Sequence, residues 1–502
     1  MADSEEHTSE KPSPAHDDQV STLHTLIVDG ATLRYRATTG RIVLREEKYD
    51  DDTFTGITDK AEVFVTSYVV LGEEDESAGT DRAGNSGRPV TFAFNGGPGS
   101  SSVWLHLGLL GPRRVQMGDV GELLAPPAGL VENAESLLVV SDLVFIDPVS
   151  TGYSRAVEGG ATKPFHGFAG DIESVGEIIR LWTSRNGRWV SPKFLAGESY
   201  GTLRAAALSD HLQTRHGMYL NGLMLISSVL DIGSIGLTDP DDDRAFVAFL
   251  PTYAAIAHFH GKHAEGTSLD EVVDQARVYC ERDYPWALSR GDRLVGAERD
   301  EHVAKLASLT GLDPAWIDRA DLRIEHQRFF AELLREDGLV VGRLDSRFTG
   351  PAAHGNAETA GADPSHDAIA GPYAAAFNHY VRDELDYASD LHYEQISNRV
   401  HPWSYADFEG KPVDVTPRLA RAMRANPHLR VHVAYGWYDG ATPFWAAEEV
   451  LHTFGGPSDA RERIEHCYYP AGHMMYVHEG SRVQQSADLA AFVRSATGGA
   501  RS

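Results

Sequence analysis

Two cysteines, Cys280 and Cys467, are all that the 502 residues contain. A single pair cannot supply the disulfide framework of small secreted domains, so apolar packing must hold the fold; two free buried thiols in a reducing cytoplasm is the simplest reading. Positive charge is scarce too, with 45 Lys and Arg against 73 Asp and Glu, a formal net charge of −28. Such a surface repels phosphate backbones and anionic headgroups, which argues against nucleic acid and membranes as partners. No apolar run approaches the about 18 residues of a membrane-spanning helix. The N-terminus, MADSEEHTSEKPSPAHDDQV, has neither the basic nor the apolar stretch of a secretory signal; residues 1–22 read as a solvated acidic tail, and a cytoplasmic location is expected. No clustered His and Cys pattern and no dinucleotide fingerprint occurs, so neither a metal nor an organic cofactor is expected.

What is present is a globular composition, 42% hydrophobic and 24% charged. The first ordered part reads as a β meander: ATLRYRATTGRIVLREE forms two alternating runs around Thr39-Gly40, and AEVFVTSYVV follows as a third strand. An Asp-, Glu-, Ser- and Gly-rich stretch from Gly72 reads as an exposed loop. From Val90 onward short apolar runs (VTFAFN, SDLVFIDP, KFLAG, NGLMLISS) alternate with helical patterns, among them one starting at Asp171 with Ile172, Val175, Ile178, Ile179 and Trp182 on one face. Strands separated by helices imply an α/β fold, a mostly parallel sheet with helices on both faces. Between about Gly236 and His401 the text turns helical, ending in a Gly-, Ala- and Pro-rich loop over 350–371. Strand patterns return with LRVHVAYG and RIEHCYYP, and a helix is expected from about Phe444. The division expected is a tail over 1–22, a first core part over 23–235, a helical cap insertion over 236–400 and a second core part over 401–502.

One stretch carries a chemical question. KFLAGESYG holds Ser199 between Gly197 and Gly201, the G-x-S-x-G spacing of a nucleophile elbow, where glycines permit a tight strand-to-helix turn that exposes the hydroxyl. An ordinary strand end has the same letters. A nucleophilic serine needs a base and an orienting carboxylate, in this fold in the order Ser, Asp, His. Asp439 follows the strand LRVHVAYG, though a turn Asp before Gly440 reads alike. His473 lies on a Pro-Ala-Gly loop after the last strand; His466 and His478 are rivals, and position with the preceding glycine favours His473. An oxyanion site needs the amide of Tyr200 and a loop after an earlier strand. VTFAFNGGPGSSS supplies one, with Gly96, Gly97, Pro98 and Gly99 letting backbone N–H groups approach an oxygen.

Taken together, NGGPGSSS (Asn95 to Ser102), GESYG (Gly197 to Gly201), the Asp439 segment and AGHM (Ala471 to Met474) resemble the serine carboxypeptidase family of α/β-hydrolases; IDPVSTGYSR (Ile146 to Arg155) is similar to a family stretch beside the active site. The resemblance is to a bacterial-type member without signal peptide or disulfides. It implies an α/β-hydrolase fold, Ser199 as nucleophile, His473 as base, Asp439 as orienting carboxylate and the Gly97 and Tyr200 amides as oxyanion hole. It further implies that Asn95, Gly96 and Glu198 bind the terminal carboxylate of a peptide substrate. Three positions depart from the family pattern: Leu109 stands where a second glutamate partners the one in the elbow, Ser100 replaces a cysteine and Trp437 an aspartate. The expectation is therefore a serine-type carboxypeptidase. An esterase or acyltransferase using the same residues is the alternative, and a catalytically silent binding protein the third reading. A homo-oligomer is compatible with the sequence.

Overall fold

The computed structural model describes residues 15–72, 87–236 and 242–498. Its centre is a mixed ten-stranded sheet. Three long strands open it: β1 (Asp18–Val28), β2 (Ala31–Asp50) and β3 (Thr53–Val70). Then come β4 (Val90–Phe94), β5 (Asp142–Ile146), β6 (Lys193–Ser199), β7 (Gly222–Ser228), β8 (Arg430–Gly436) and β9 (Ile464–Tyr469). Across the sheet they run β1-β2-β3-β5-β4-β6-β7-β8-β9, with the short strand Arg155–Ala156 paired to β3. From β5 onward every neighbouring pair is parallel, while β1, β2, β3 and β5 pair antiparallel. This is the α/β-hydrolase fold, with the crossing of β4 and β5 in the strand order.

The continuous apolar runs are explained by burial on both faces. β4 and β5 are buried at every residue, and so is β7. Their side chains alternate between two cores. Phe92, Phe94, Val144, Leu195 and Leu225 face the helices Phe168–Arg185 and Tyr200–His216. Ala93, Phe145, Ala196 and Ile226 face Leu105, Leu109 and the C-terminal helix Glu479–Gly498. The helix expected at Asp171 begins at Phe168, and Ile172, Val175, Ile178, Ile179 and Trp182 are its buried face. The helix expected at Phe444 is Phe444–Thr453.

Three expectations need correction. The meander does not turn at Thr39-Gly40: β2 runs straight through, with Gly40 paired to Gln19 on one side and Val65 on the other. A Cβ on Gly40 would stand 1.9 Å from the Asp18 carbonyl oxygen, so this glycine makes room for a neighbouring strand. The turns fall at Asp29-Gly30 and Asp51-Asp52, all four residues having positive φ. Second, the stretch 1–22 is not all tail, since β1 begins at Asp18 and Asp17 Oδ1 accepts the Val43 amide at 2.9 Å. Third, the loop expected over 350–371 gives way to a helix, Pro364–His379, capped by Asp363 and started by Pro364. The loop expected from Gly72 lies mostly outside the described residues. The segment between β7 and β8 is largely helical, and also carries the hairpin Leu339–Val341 with Thr349–Pro351.

Candidate active site

Ser199 closes β6 and stands at φ 59°, ψ −130°, a conformation foreign to most side chains, before the helix Tyr200–His216 begins. The surrounding glycines are there for space: a Cβ on Gly197 would stand 2.1 Å from the Gly201 carbonyl oxygen, and one on Gly201 2.8 Å from that of Phe94. Thr202 pins the turn, donating from Oγ1 to the Ser199 carbonyl at 2.7 Å and accepting the Val229 amide at 2.9 Å. The sharp turn leaves the Ser199 side chain half-buried at the carboxyl end of the sheet.

The Gly96–Gly99 loop lies directly against this elbow. A Cβ on Gly96 would be 2.4 Å from the Tyr200 amide nitrogen and 2.8 Å from the Glu198 carbonyl oxygen. Gly97 and Gly99 take φ near +100°, as only glycine does readily. The Tyr200 amide opens its helix directly after the serine and has no acceptor within it. Arg204 locks the loop from beneath: Nη1 donates to the Asn95 carbonyl at 2.6 Å while Nε pairs with Asp171 at 2.8 Å, both side chains 1% exposed. That buried pair was not legible in the sequence.

His473 and Asp439 meet. His473 Nδ1 lies 2.8 Å from Asp439 Oδ2, and because a carboxylate only accepts, Nδ1 carries the hydrogen and Nε2 is left free. Asp439 is held by further donors, the Ala441 and Thr442 amides on Oδ1 at 2.8 and 2.9 Å and the Thr442 hydroxyl on Oδ2 at 2.8 Å. The Ser227 hydroxyl fixes the His473 carbonyl at 2.6 Å, which sets the ring beside the strand that pairs with β6. Burial works against protonating this ring, but the charge and hydrogen bond of Asp439, with Glu198 nearby, outweigh it and lift its pKa above that of ordinary histidine. No hydrogen bond joins Ser199 to His473 among the described residues. His466 instead faces Tyr435, and His478 caps Ser481, so neither rival approaches Asp439.

Glu198 is buried beneath the serine. Asn95 Nδ2 donates to its Oε1 at 2.8 Å, and the Tyr476 hydroxyl donates to its Oε2 at 2.7 Å. Burial drives its pKa up to about 7, against the pull of His473, Tyr476 and Asn95. The carboxyl therefore does have a second partner, Tyr476, on the turn Met475–Val477 just after His473. Leu109 is buried in the apolar core and carries no polar atom toward the site. A tyrosine after a histidine gives no periodic signal, so only the fold reveals this contact. Trp437, in place of the family aspartate, stacks on Tyr468 and packs under Arg277. Among the described residues no group of three or more His, Cys, Asp or Glu is placed to hold a metal ion, and no helix is long and apolar enough to cross a membrane.

No curated protein matches the chain. Among solved structures it is similar to a peroxisomal α/β-hydrolase from Saccharomyces cerevisiae (10% identity over 95% of this chain and 90% of that one, TM-score 0.34). It is similar also to a monoacylglycerol lipase from Paleococcus ferrophilus (12% over 82% and 96%, TM-score 0.32) and a thermophilic esterase from Thermogutta terrifontis (11% over 95% and 99%, TM-score 0.30). The family model described as serine carboxypeptidase matches residues 79–467, through the glycine loop, the elbow and Asp439 and ending short of His473. With that match over most of its length, the chain belongs to the serine carboxypeptidase family.

Proposed function

We propose that the protein is a serine-type carboxypeptidase that releases C-terminal residues from peptides through an acyl-enzyme. Ser199 attacks the scissile carbonyl while His473 Nε2 takes its proton; Asp439 holds Nδ1–H and stabilises the imidazolium. The Gly97 and Tyr200 N–H groups receive the oxyanion. His473 returns the proton to the leaving amine, and water, activated the same way, frees the acyl group. The observation that carries the exopeptidase reading over a general hydrolase is the Asn95–Glu198 pair, 2.8 Å apart beside the nucleophile, with a carboxyl pKa of about 7. When protonated, that carboxyl can donate to a substrate carboxylate; when ionised, it repels one. The test is reaction of Ser199 with a fluorophosphonate probe together with amino-acid release from an N-blocked dipeptide. An unlabelled serine would leave only the silent-binding reading. Labelling with turnover of esters alone would favour the esterase or acyltransferase, which the occupied Glu198 oxygens and Leu109 support.

The signs of the two ionisations differ. A neutral His473 is needed as base, so rates rise with pH through its raised pKa. A neutral Glu198 favours an anionic substrate, so the preference for a free acid over its amide falls as pH passes about 7. Tyr476→Phe removes a hydrogen bond that favours the ionised carboxyl, so that fall should move to higher pH in a profile of the two substrates; a profile that does not move, or moves to lower pH, contradicts the role given to Tyr476. Gly96→Ala would drive a methyl into the Tyr200 amide and displace the oxyanion loop. It should lower kcat by about 10²- to 10³-fold with the fold retained in circular dichroism.

A further inference from the structure

A cavity of about 800 Å³ lies between the helical segment and the core, walled in part by the helices Arg244–Phe259, Leu269–Arg282 and Phe444–Thr453. None of Ser199, Asp439 and His473 lines it. Val247, Ala248, Trp445, Val450 and Phe454 give it an apolar wall. The one cation in its wall among the described residues, Arg244, is taken up by Asp231 and Asp242 at 2.8 and 2.7 Å, and Asp243 is taken up by Arg323 at 2.8 Å. Three further carboxylates in the wall keep spare oxygens. Glu281 meets no hydrogen bond or ion pair among the described residues, the Glu449 carboxylate has only His452 at 3.7 Å, and Asp414 accepts the Thr416 amide at 2.8 Å on Oδ1 alone. A donor is spare as well: Trp445 is 5% exposed, and its indole N–H meets no acceptor among the described residues. A buried donor left unpaired is costly, so this wall suits a ligand that brings an acceptor together with a positive charge.

The cavity lies at the same edge of the sheet as the nucleophile. Ser228 is in register with Ser199 on the neighbouring strand, about 4.8 Å away, and Asp231 in the cavity wall follows three residues later. At no more than about 3.6 Å per residue, Asp231 stands within about 16 Å of Ser199. Trp445 likewise comes three residues after Thr442, whose hydroxyl holds Asp439. An extended peptide advances about 3.3 Å per residue, so a substrate held at Ser199 reaches the cavity with a residue no more than about five places upstream of the scissile bond. A Lys or Arg in that stretch matches the walls: an aliphatic stem for the apolar surface, a charge for the three carboxylates and a backbone carbonyl for the Trp445 N–H.

Resting on the carboxypeptidase reading, we propose that this cavity is a second substrate site, remote from the scissile bond, which takes a basic side chain from the upstream, acyl-side part of a peptide. Glu281, Glu449 and Asp414 receive the charge, and Trp445 receives a carbonyl of the same segment. Peptides long enough to fill both sites are then selected over short ones.

The test uses N-acetylated peptides with a single Lys placed from two to six positions upstream of the scissile bond, each paired with a norleucine peptide that lacks only the charge. For each pair the ratio of kcat/KM, Lys over norleucine, is read for release of the first residue, and Kd is read by calorimetry with Ser199→Ala. A ratio of about 5- to 20-fold is expected at a position three to five places upstream, falling toward one elsewhere. Glu281→Gln combined with Glu449→Gln should remove most of that ratio while turnover of an N-blocked dipeptide, too short to reach the cavity, stays unchanged. Trp445→Phe keeps the apolar wall and should weaken the Lys peptide by about 3- to 10-fold. A ratio near one throughout, one that is the same at every position as a general pull of the acidic surface would give, or one unmoved in the glutamate variant overturns the proposal. Hexylamine carries the same chemistry without a peptide and should bind Ser199→Ala more weakly than the best Lys peptide; equal binding would assign the cavity to a free amine and overturn the substrate role. Peptide release without any Lys effect would strike the cavity and leave the carboxypeptidase reading standing. Glutamate-dependent binding of the Lys peptide to Ser199→Ala, without peptide release by the wild type, would strike that reading and keep the cavity's ligand.

Discussion

Ser199→Ala should leave a folded protein whose turnover has fallen by on the order of 10⁴- to 10⁶-fold and which no longer reacts with a fluorophosphonate. The size follows from the chemistry: without the hydroxyl there is no acyl-enzyme, and what remains is binding and the oxyanion donors acting on water. The fold should not suffer, because the Ser199 hydroxyl makes no hydrogen bond among the described residues and alanine meets the same positive φ that serine already adopts. Retained thermal stability with lost labelling is the expected pair of results. Turnover near wild type in the folded variant would remove Ser199 from the mechanism.

The second large effect is expected at Asp439. Asn in its place is isosteric, but its amide can offer a donor toward His473 Nδ1, which favours the tautomer with hydrogen on Nε2 and so removes the base facing the serine. A loss of about 10⁴-fold in kcat near neutral pH follows, with Ser199 labelling slowed in parallel. The pH profile supplies a check that a merely structural role would not move. With Asp439 raising the His473 pKa, the acid limb of the variant should shift to lower pH, since the ring loses the charge that opposed the desolvation of its protonated form. An unshifted limb with full activity would show that another group orients His473.

Much of this was legible in the residues, for physical reasons that also explain the failures. β4, β5 and β7 are buried on both faces and so appear as unbroken apolar runs, and their alternation with amphipathic helices dictates a parallel sheet. The elbow and the glycine loop are readable because close backbone approach leaves glycine as the residue that fits, and a Cβ on Gly96 or Gly197 would meet neighbouring backbone. Thr39-Gly40 mimics a turn because a glycine that admits a neighbouring strand looks like one that ends its own; the turn falls at Asp29-Gly30. The helix Pro364–His379 was hidden by two prolines, one at its first turn and one inside, in a run of small residues with little amphipathic pattern. Contacts made by tertiary structure left no trace in the chain order. Tyr476 reaches Glu198, Arg204 reaches Asp171 and Asn95, and the loop 342–348 reaches Gly472 and His473. The partner of Glu198 is thus a phenol from the histidine loop, a contact no spacing rule anticipates.

The exopeptidase reading is tested most directly by mass spectrometry of one short peptide incubated in three forms: unmodified, N-acetylated and C-terminally amidated. The account predicts stepwise loss of residues from the C-terminus of the first two, a slower or absent reaction of the amide, and no loss from any form with Ser199→Ala. Intact peptides alongside rapid turnover of a simple ester, or equal shortening of the free and amidated forms, would contradict it.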